Sequence, residues 1–142
     1  MIGGGIELSA QGCFYKVRNL YGSGHREKFY DQMLGEILII EKLSFEEKPR
    51  IPLYSMQSGN IVSYAIPDKL VASKIIVEIK AKPFTTQEDI AQVTEYLRIA
   101  PYEILYLVNF GERNFNPIRK IYTNDRKPFL PINFQIKNGS HP

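Results

Sequence analysis

The chain of 142 residues carries one cysteine, two histidines and no apolar run near the length of a membrane span. A single thiol, Cys13, excludes an internal disulfide and any zinc site built from cysteines, and it fits a reducing, cytoplasmic setting. A spanning helix needs about 20 consecutive apolar residues, so no membrane partner is expected. The opening MIGGGIELSAQG has no basic stretch followed by an apolar core, and a signal peptide is not expected either. Also missing are a Walker-type phosphate loop, a Gly-x-Ser-x-Gly elbow and a His-Glu-x-x-His helix. No charge of one sign dominates: the net charge is +3.

What is present is the make-up of one globular domain, 44% hydrophobic and 23% charged. The charge is unevenly placed. From Arg113 onward six lysines and arginines face one aspartate, a local balance of +5. A basic end suits a polyanion, and it equally suits a solvated tail.

Ser9 is a candidate cap for a first helix through AQGCFYKVRNLYG, with Phe14, Val17 and Leu20 at helical spacing. A second helix fits HREKFYDQMLGEILIIEKL, where Phe29, Met33, Ile37 and Ile40 recur every three or four residues. SFEEKPRIPLYS reads as an edge strand weakened by Pro49 and Pro52, QSGN as a turn, and IVSYAIPDKLVA and KIIVEIKA as the next two strands. Thr85 or Thr86 caps a helix whose stripe is Ile90, Val93 and Leu97, and Pro101 stops it. EILYLVNF is a strand buried on both faces, PIRKIYT a last short strand, and the segment from Asn124 onward has no regular structure. The order α-α-β-β-β-α-β-β makes an α/β domain at 1–123, a mixed sheet flanked by helices, with a basic, proline-containing tail at 124–142.

Three polar residues stand where such a fold prefers apolar ones. Alternation along KIIVEIKA sends Ile75, Val77 and Ile79 to one face and Ile76, Glu78 and Lys80 to the other. Asp68 closes the preceding strand and meets them if the two strands pair as a hairpin. Two carboxylates and an ammonium converging at a sheet edge can hold a divalent cation beside a phosphate. Glu27 shares a helix face with Tyr30, Leu34 and Leu38, although an acid in a first turn also favours the helix dipole. Gln92 and Tyr96 are four apart on the third helix, with Asp89 on the same side. His25 precedes the second helix, where it is either a ligand or a surface residue.

Together these residues resemble the PD-(D/E)xK nuclease superfamily, and within it the GxxExxY proteins. The motifs are Gly24-His25-Arg26-Glu27-Lys28-Phe29-Tyr30, Pro67-Asp68, Glu78-Ile79-Lys80, Gln92-Val93-Thr94-Glu95-Tyr96 and Asn109-Phe110-Gly111, in order within residues 8 to 123. The family usually has apolar residues where this chain has His25 and Arg26. The resemblance implies a restriction-endonuclease-like fold and metal-dependent hydrolysis of phosphodiester bonds, in DNA above all. It further implies Mg²⁺ (or Mn²⁺) on Asp68, Glu78 and Glu27, with Lys80 beside the reacting water and Gln92, Tyr96, Tyr30 and His25 in support. A homodimer follows by analogy with nucleases of this size. The competing readings are a module that binds nucleic acid without cutting it, and a regulatory subunit whose site only binds metal. The intact Asp68, Glu78 and Lys80 argue against lost activity.

Overall fold

The chain, in a computed structural model that describes residues 4–135, forms a five-stranded mixed sheet with helices on both faces and a separate two-stranded ribbon. Helix α1 spans Gly4–Tyr21 and α2 spans Glu27–Ile40. Strands β1 (Phe45–Glu47), β2 (Ile51–Tyr54), β3 (Ile61–Ala65), β4 (Lys69–Val71) and β5 (Ile75–Lys80) follow. Helix α3 (Gln87–Ile99) leads to β6 (Ile104–Asn109) and β7 (Ile118–Ile121), then a 3₁₀ turn (Asn124–Arg126) and the short helix α4 (Ile132–Gln135). The sheet order is β1-β4-β5-β6-β7, with β5 and β6 parallel and the other neighbours antiparallel. This is the expected mixed sheet flanked by helices. Among the described residues no helix is long and apolar enough to cross a membrane.

The alternation along β5 decides which helix covers which face. Ile75, Val77 and Ile79 are buried with Phe14 and Val17 of α1 and Tyr30, Leu34 and Leu38 of α2. Ile76 is buried with Val93 and Leu97 of α3. Each such side chain contributes about 1.5–3 kcal/mol on leaving water. Strand β6 is buried along its whole length, as its apolar run requires.

Two prolines explain why more strands form than the sequence suggested. SFEEKPRIPLYS is not one strand: Lys48 takes a left-handed turn (φ 49°) and Pro49 follows it without an amide hydrogen. The chain leaves β1, an edge strand of the main sheet, and β2 pairs instead with β3 in the ribbon. IVSYAIPDKLVA is likewise broken around Pro67, so Asp68 lies just before β4 rather than closing the strand before it.

Helix ends were also displaced. Ser9 lies inside α1, and Leu20 is 64% exposed; Ala10, Cys13, Phe14 and Val17 form the buried stripe. In α2 the buried stripe is Tyr30, Leu34 and Leu38, the face Glu27 heads, while Ile40 is exposed. Thr86 caps α3 in a capping box with Asp89.

The segment after Thr123 is partly regular and docked. Asn124 donates its amide to a Glu103 carboxylate oxygen at 2.7 Å. The buried Lys127 ammonium donates to the carbonyls of Ala100 (2.7 Å) and Tyr102 (2.8 Å) and to Asn124 Oδ1 (3.0 Å). Lys127 therefore offers no charge to a partner, and Arg119 is held by Glu7. Lys137 and His141 lie outside the described residues.

Candidate active site

The β4–β5 hairpin builds the site. A tight turn at Ala72 and Ser73, both left-handed, pairs Lys69 with Val77, and the same register carries Asp68 across from Glu78. Asp68 Oδ2 accepts the Ile79 amide at 2.7 Å, and the Asp68 amide in turn faces the Glu78 carboxyl. This reciprocal contact fixes Asp68 between Glu78 and Lys80 on the neighbouring strand. Glu78 and Lys80 are half-buried on the α3 face of β5, as alternation requires.

The far end of the strand is fastened by Asn109-Phe110-Gly111. The Phe110 amide donates to the Lys80 carbonyl at 2.9 Å. Asn109 Oδ1 accepts from the amides of Lys82 (3.1 Å) and Gly111 (3.0 Å), and its Nδ2 donates to Thr85 (3.1 Å). At Gly111 a Cβ would lie 2.5 Å from the Lys82 nitrogen, so the close approach of the two strand ends admits glycine alone.

Like charge accumulates here. Burial first, and the charge of Asp68 second, push the Glu78 carboxyl up to about 7, against the opposing pull of Lys80 and the Asp68 amide; Glu27 adds to the rise. The exposed Glu27 is itself raised by partial shielding and then by Asp68, with Lys80 and Lys48 opposing. The Tyr96 hydroxyl is buried without a hydrogen-bond partner, and burial, then Glu78 and Asp68, hold its proton firmly. Glu27, Asp68, Glu78, Lys80 and Tyr96 thus belong to one electrostatic neighbourhood.

Three residues that sequence reasoning passed over complete it. Lys48 donates to Asp68 Oδ1 at 2.6 Å and lies 3.9 Å from Asp31. Asp31 follows Glu27 by one helical turn and pairs at 2.7 Å with Lys69, which is fully buried and also bonds Glu47 at 2.6 Å. Glu27, Lys28, Asp31, Lys48 and Asp68 line a cleft of about 390 Å³. The spacing of Asp31 from Glu27 was a usable signal; Lys48, in an irregular turn, gave none.

Other candidates lie to the side. His25 stacks on Phe29 with ring centroids 4.0 Å apart, in an aromatic group with Tyr21 and Tyr30. The Tyr30 hydroxyl donates to the Gly22 carbonyl at 2.6 Å and accepts the His25 amide at 3.1 Å, while its ring stacks on Phe110. Its work is to close the glycine loop onto α2. Gln92 is exposed one turn before Tyr96 and shares a second cleft with it. Asp89 caps α3 and pairs with Lys82 at 2.5 Å, a hydrogen bond that holds its carboxyl down at about 2.

Among the described residues no three acidic, histidine or cysteine side chains already form a metal cage. The donor set nonetheless suits a hard divalent cation. Mg²⁺ commonly keeps several waters and takes only one or two carboxylates, which Asp68 and Glu78 supply. A cation with its waters would relieve their mutual repulsion and give the orphaned Tyr96 hydroxyl a partner.

The family model of the PD-(D/E)XK nuclease superfamily matches residues 6–121. That span takes in every residue of the site just described. No curated protein and no solved structure gives a match.

Proposed function

The chain belongs to the PD-(D/E)XK nuclease superfamily, and from that premise we propose that it is a metal-dependent nuclease of the GxxExxY type, cleaving phosphodiester bonds in DNA. The observation that carries this reading is the Asp68 carboxylate bound at 2.7 Å to the Ile79 amide, between Glu78 and Lys80. In this reading Asp68 and Glu78 hold Mg²⁺ or Mn²⁺, and Glu27 binds a second ion or a water at the rim. When bound, such an ion supplies a water of lowered pKa and neutralises charge growing on the phosphate.

The remaining work falls to the chain's own side chains. Lys80 stands at the C-terminal end of the central strand β5, where its ammonium orients the attacking water and meets the negative charge of the transition state. Burial makes that charge count for more than it would in water. Tyr96 holds a proton it does not release at neutral pH, so it acts as a hydrogen-bond donor to phosphate or water. Lys48 neutralises Asp68 when no ion is present and contacts the substrate backbone when one is. The homodimer expected by analogy is tested by light scattering.

The test is incubation with plasmid and linear DNA in Mg²⁺, in Mn²⁺ and in EDTA. Cutting that needs the metal and disappears in Lys80→Ala is expected. DNA that is bound but uncut by the wild-type chain would contradict the reading and favour the non-cleaving module.

A further inference from the structure

The stretch from Met56 to Ile66 leaves five large apolar side chains between 42% and 64% exposed: Met56, Ile61, Val62, Tyr64 and Ile66. Scattered apolar residues are ordinary on a surface, whereas a contiguous set marks a docking site. These sit on or beside the β2–β3 ribbon. Its inner face packs Ile51, Leu53 and Ala65 against Tyr96, Ile99 and Ala100. The register places Tyr64 opposite Pro52 on the other face, and the Arg50 guanidinium lies 3.8 Å from the centroid of the Tyr64 ring. A flat aromatic with a flat cation over it is a surface on which nucleobases stack.

The ribbon adjoins the active site through Tyr96, against which it packs, and through the short link from Ile66 to Asp68. A cleft of about 450 Å³ runs between ribbon and α3, lined by Leu53, Tyr64, Ala65, Gln92, Tyr96 and Ile99. Its Tyr96 feels the charges of Glu78 and Asp68. Ile66 stands two residues before Asp68 in the chain. Glu95, the acid on this cleft, is paired with Arg98 at 3.1 Å, so its charge is offset.

We propose that the ribbon and cleft are a stacking platform for unpaired bases, receiving a single-stranded segment whose phosphates pass Lys80. The proposal rests on the nuclease reading and deepens it by naming the substrate class. Bases in a duplex have their faces covered by their neighbours and cannot use such a platform; unpaired bases can. The ribbon is held to the body through one apolar face, leaving Val62 outward and Tyr64 at the rim of the cleft.

Fluorescence anisotropy in EDTA tests it, with a labelled single strand of about 16 nucleotides and the same sequence as a blunt duplex. The wild-type chain is expected to bind the single strand more tightly. Tyr64→Ala should weaken single-strand binding by about tenfold, the loss of one base stack, and Val62→Ser by less. Tyr64→Phe should restore it. Both side chains are exposed, so thermal melts of the variants should match the wild type. Equal affinity for the two forms of DNA, or indifference to Tyr64→Ala, would overturn the proposal. So would self-association by sedimentation that these substitutions abolish, because the patch would then serve a second copy. The cleavage assay in Mn²⁺ reads the nuclease proposal separately. A chain that holds single strands through Tyr64 yet cuts nothing loses that reading and keeps this one.

Discussion

Glu7 and Glu78 are both glutamates drawn into the body of the protein, and their surroundings are opposite. Glu7, on α1, accepts the Tyr106 hydroxyl at 2.6 Å and takes Arg119 through both oxygens, at 2.5 and 3.0 Å. Burial pushes its carboxyl up, but the hydrogen bonds from Arg119 and Tyr106 outweigh this and leave it lowered. Glu78 is raised to about 7 and faces two further carboxylates. A guanidinium closes the first centre; the second has more acid than Lys80 and Lys48 can answer. A buried charge without a matching partner is costly, so the second centre would gain from any cation brought to it. The comparison separates an acid that holds the fold together from acids that burden it.

The sharpest way to break this contrast is to exchange the acids for neutral isosteres. Asp68→Asn and Glu78→Gln are each expected to slow metal-dependent cleavage by about a hundredfold or more, the scale seen when one preorganised polar group is lost from a transition state. Glu7→Gln should leave cleavage rates close to wild type. Gel assays under single-turnover conditions measure both, and similar losses in all three variants would erase the distinction.

Stability should respond in reverse. Glu7→Ala removes the acceptor of the Tyr106 hydroxyl and the ion-pair partner of Arg119, a loss of about 1–3 kcal/mol in denaturant unfolding. The pH dependence carries its own sign. Folded Glu78 keeps its proton up to about 7, whereas an unfolded glutamate releases it near the ordinary value of 4.5. Between those pH values the folded state binds more protons, so stability falls as pH rises through the window and the full penalty remains above it. Glu78→Gln should therefore melt a few degrees higher than the wild type at pH 8 without metal, and nearly level with it at pH 5. Added Mn²⁺ should raise the wild-type melting temperature more at pH 8 than at pH 6.

The smallest effect belongs to Lys48. Its ammonium occupies Asp68 Oδ1 at 2.6 Å but is largely exposed, and exposed pairs are worth about 0–1 kcal/mol. Lys48→Met should tighten Mn²⁺ binding by about two- to fivefold in calorimetry, by removing a competitor.

Much of the site was legible because period-two alternation is strict. Glu78 and Lys80 had to share a face once KIIVEIKA was read as a strand, and a short turn at Ser73 had to bring its neighbour alongside. The capping box at Thr86 and Asp89 follows from residue type and spacing. The position of Asp68 was legible in space but not in sequence context: the break at Pro67 puts it just before β4 instead of at the end of the strand before. Lys48 and Lys69 escaped because tertiary packing decides their roles. One lies in a left-handed turn without periodicity, and the other is a buried lysine whose partners, Asp31 and Glu47, come from separate elements. The ribbon was hidden because its strands alternate much as main-sheet strands do; of the two prolines that detach it, Pro49 read only as a weak point and Pro67 only as part of the Pro-Asp motif.

The most direct test is anomalous diffraction from crystals soaked in Mn²⁺ at pH 8. A peak bridging the carboxylates of Asp68 and Glu78, with the Lys80 ammonium turned toward the same point, is the expected result. Crystals that diffract well with no peak there, or with a peak only at Glu27 and Asp31, would contradict the claim that residues 68 and 78 share a cation.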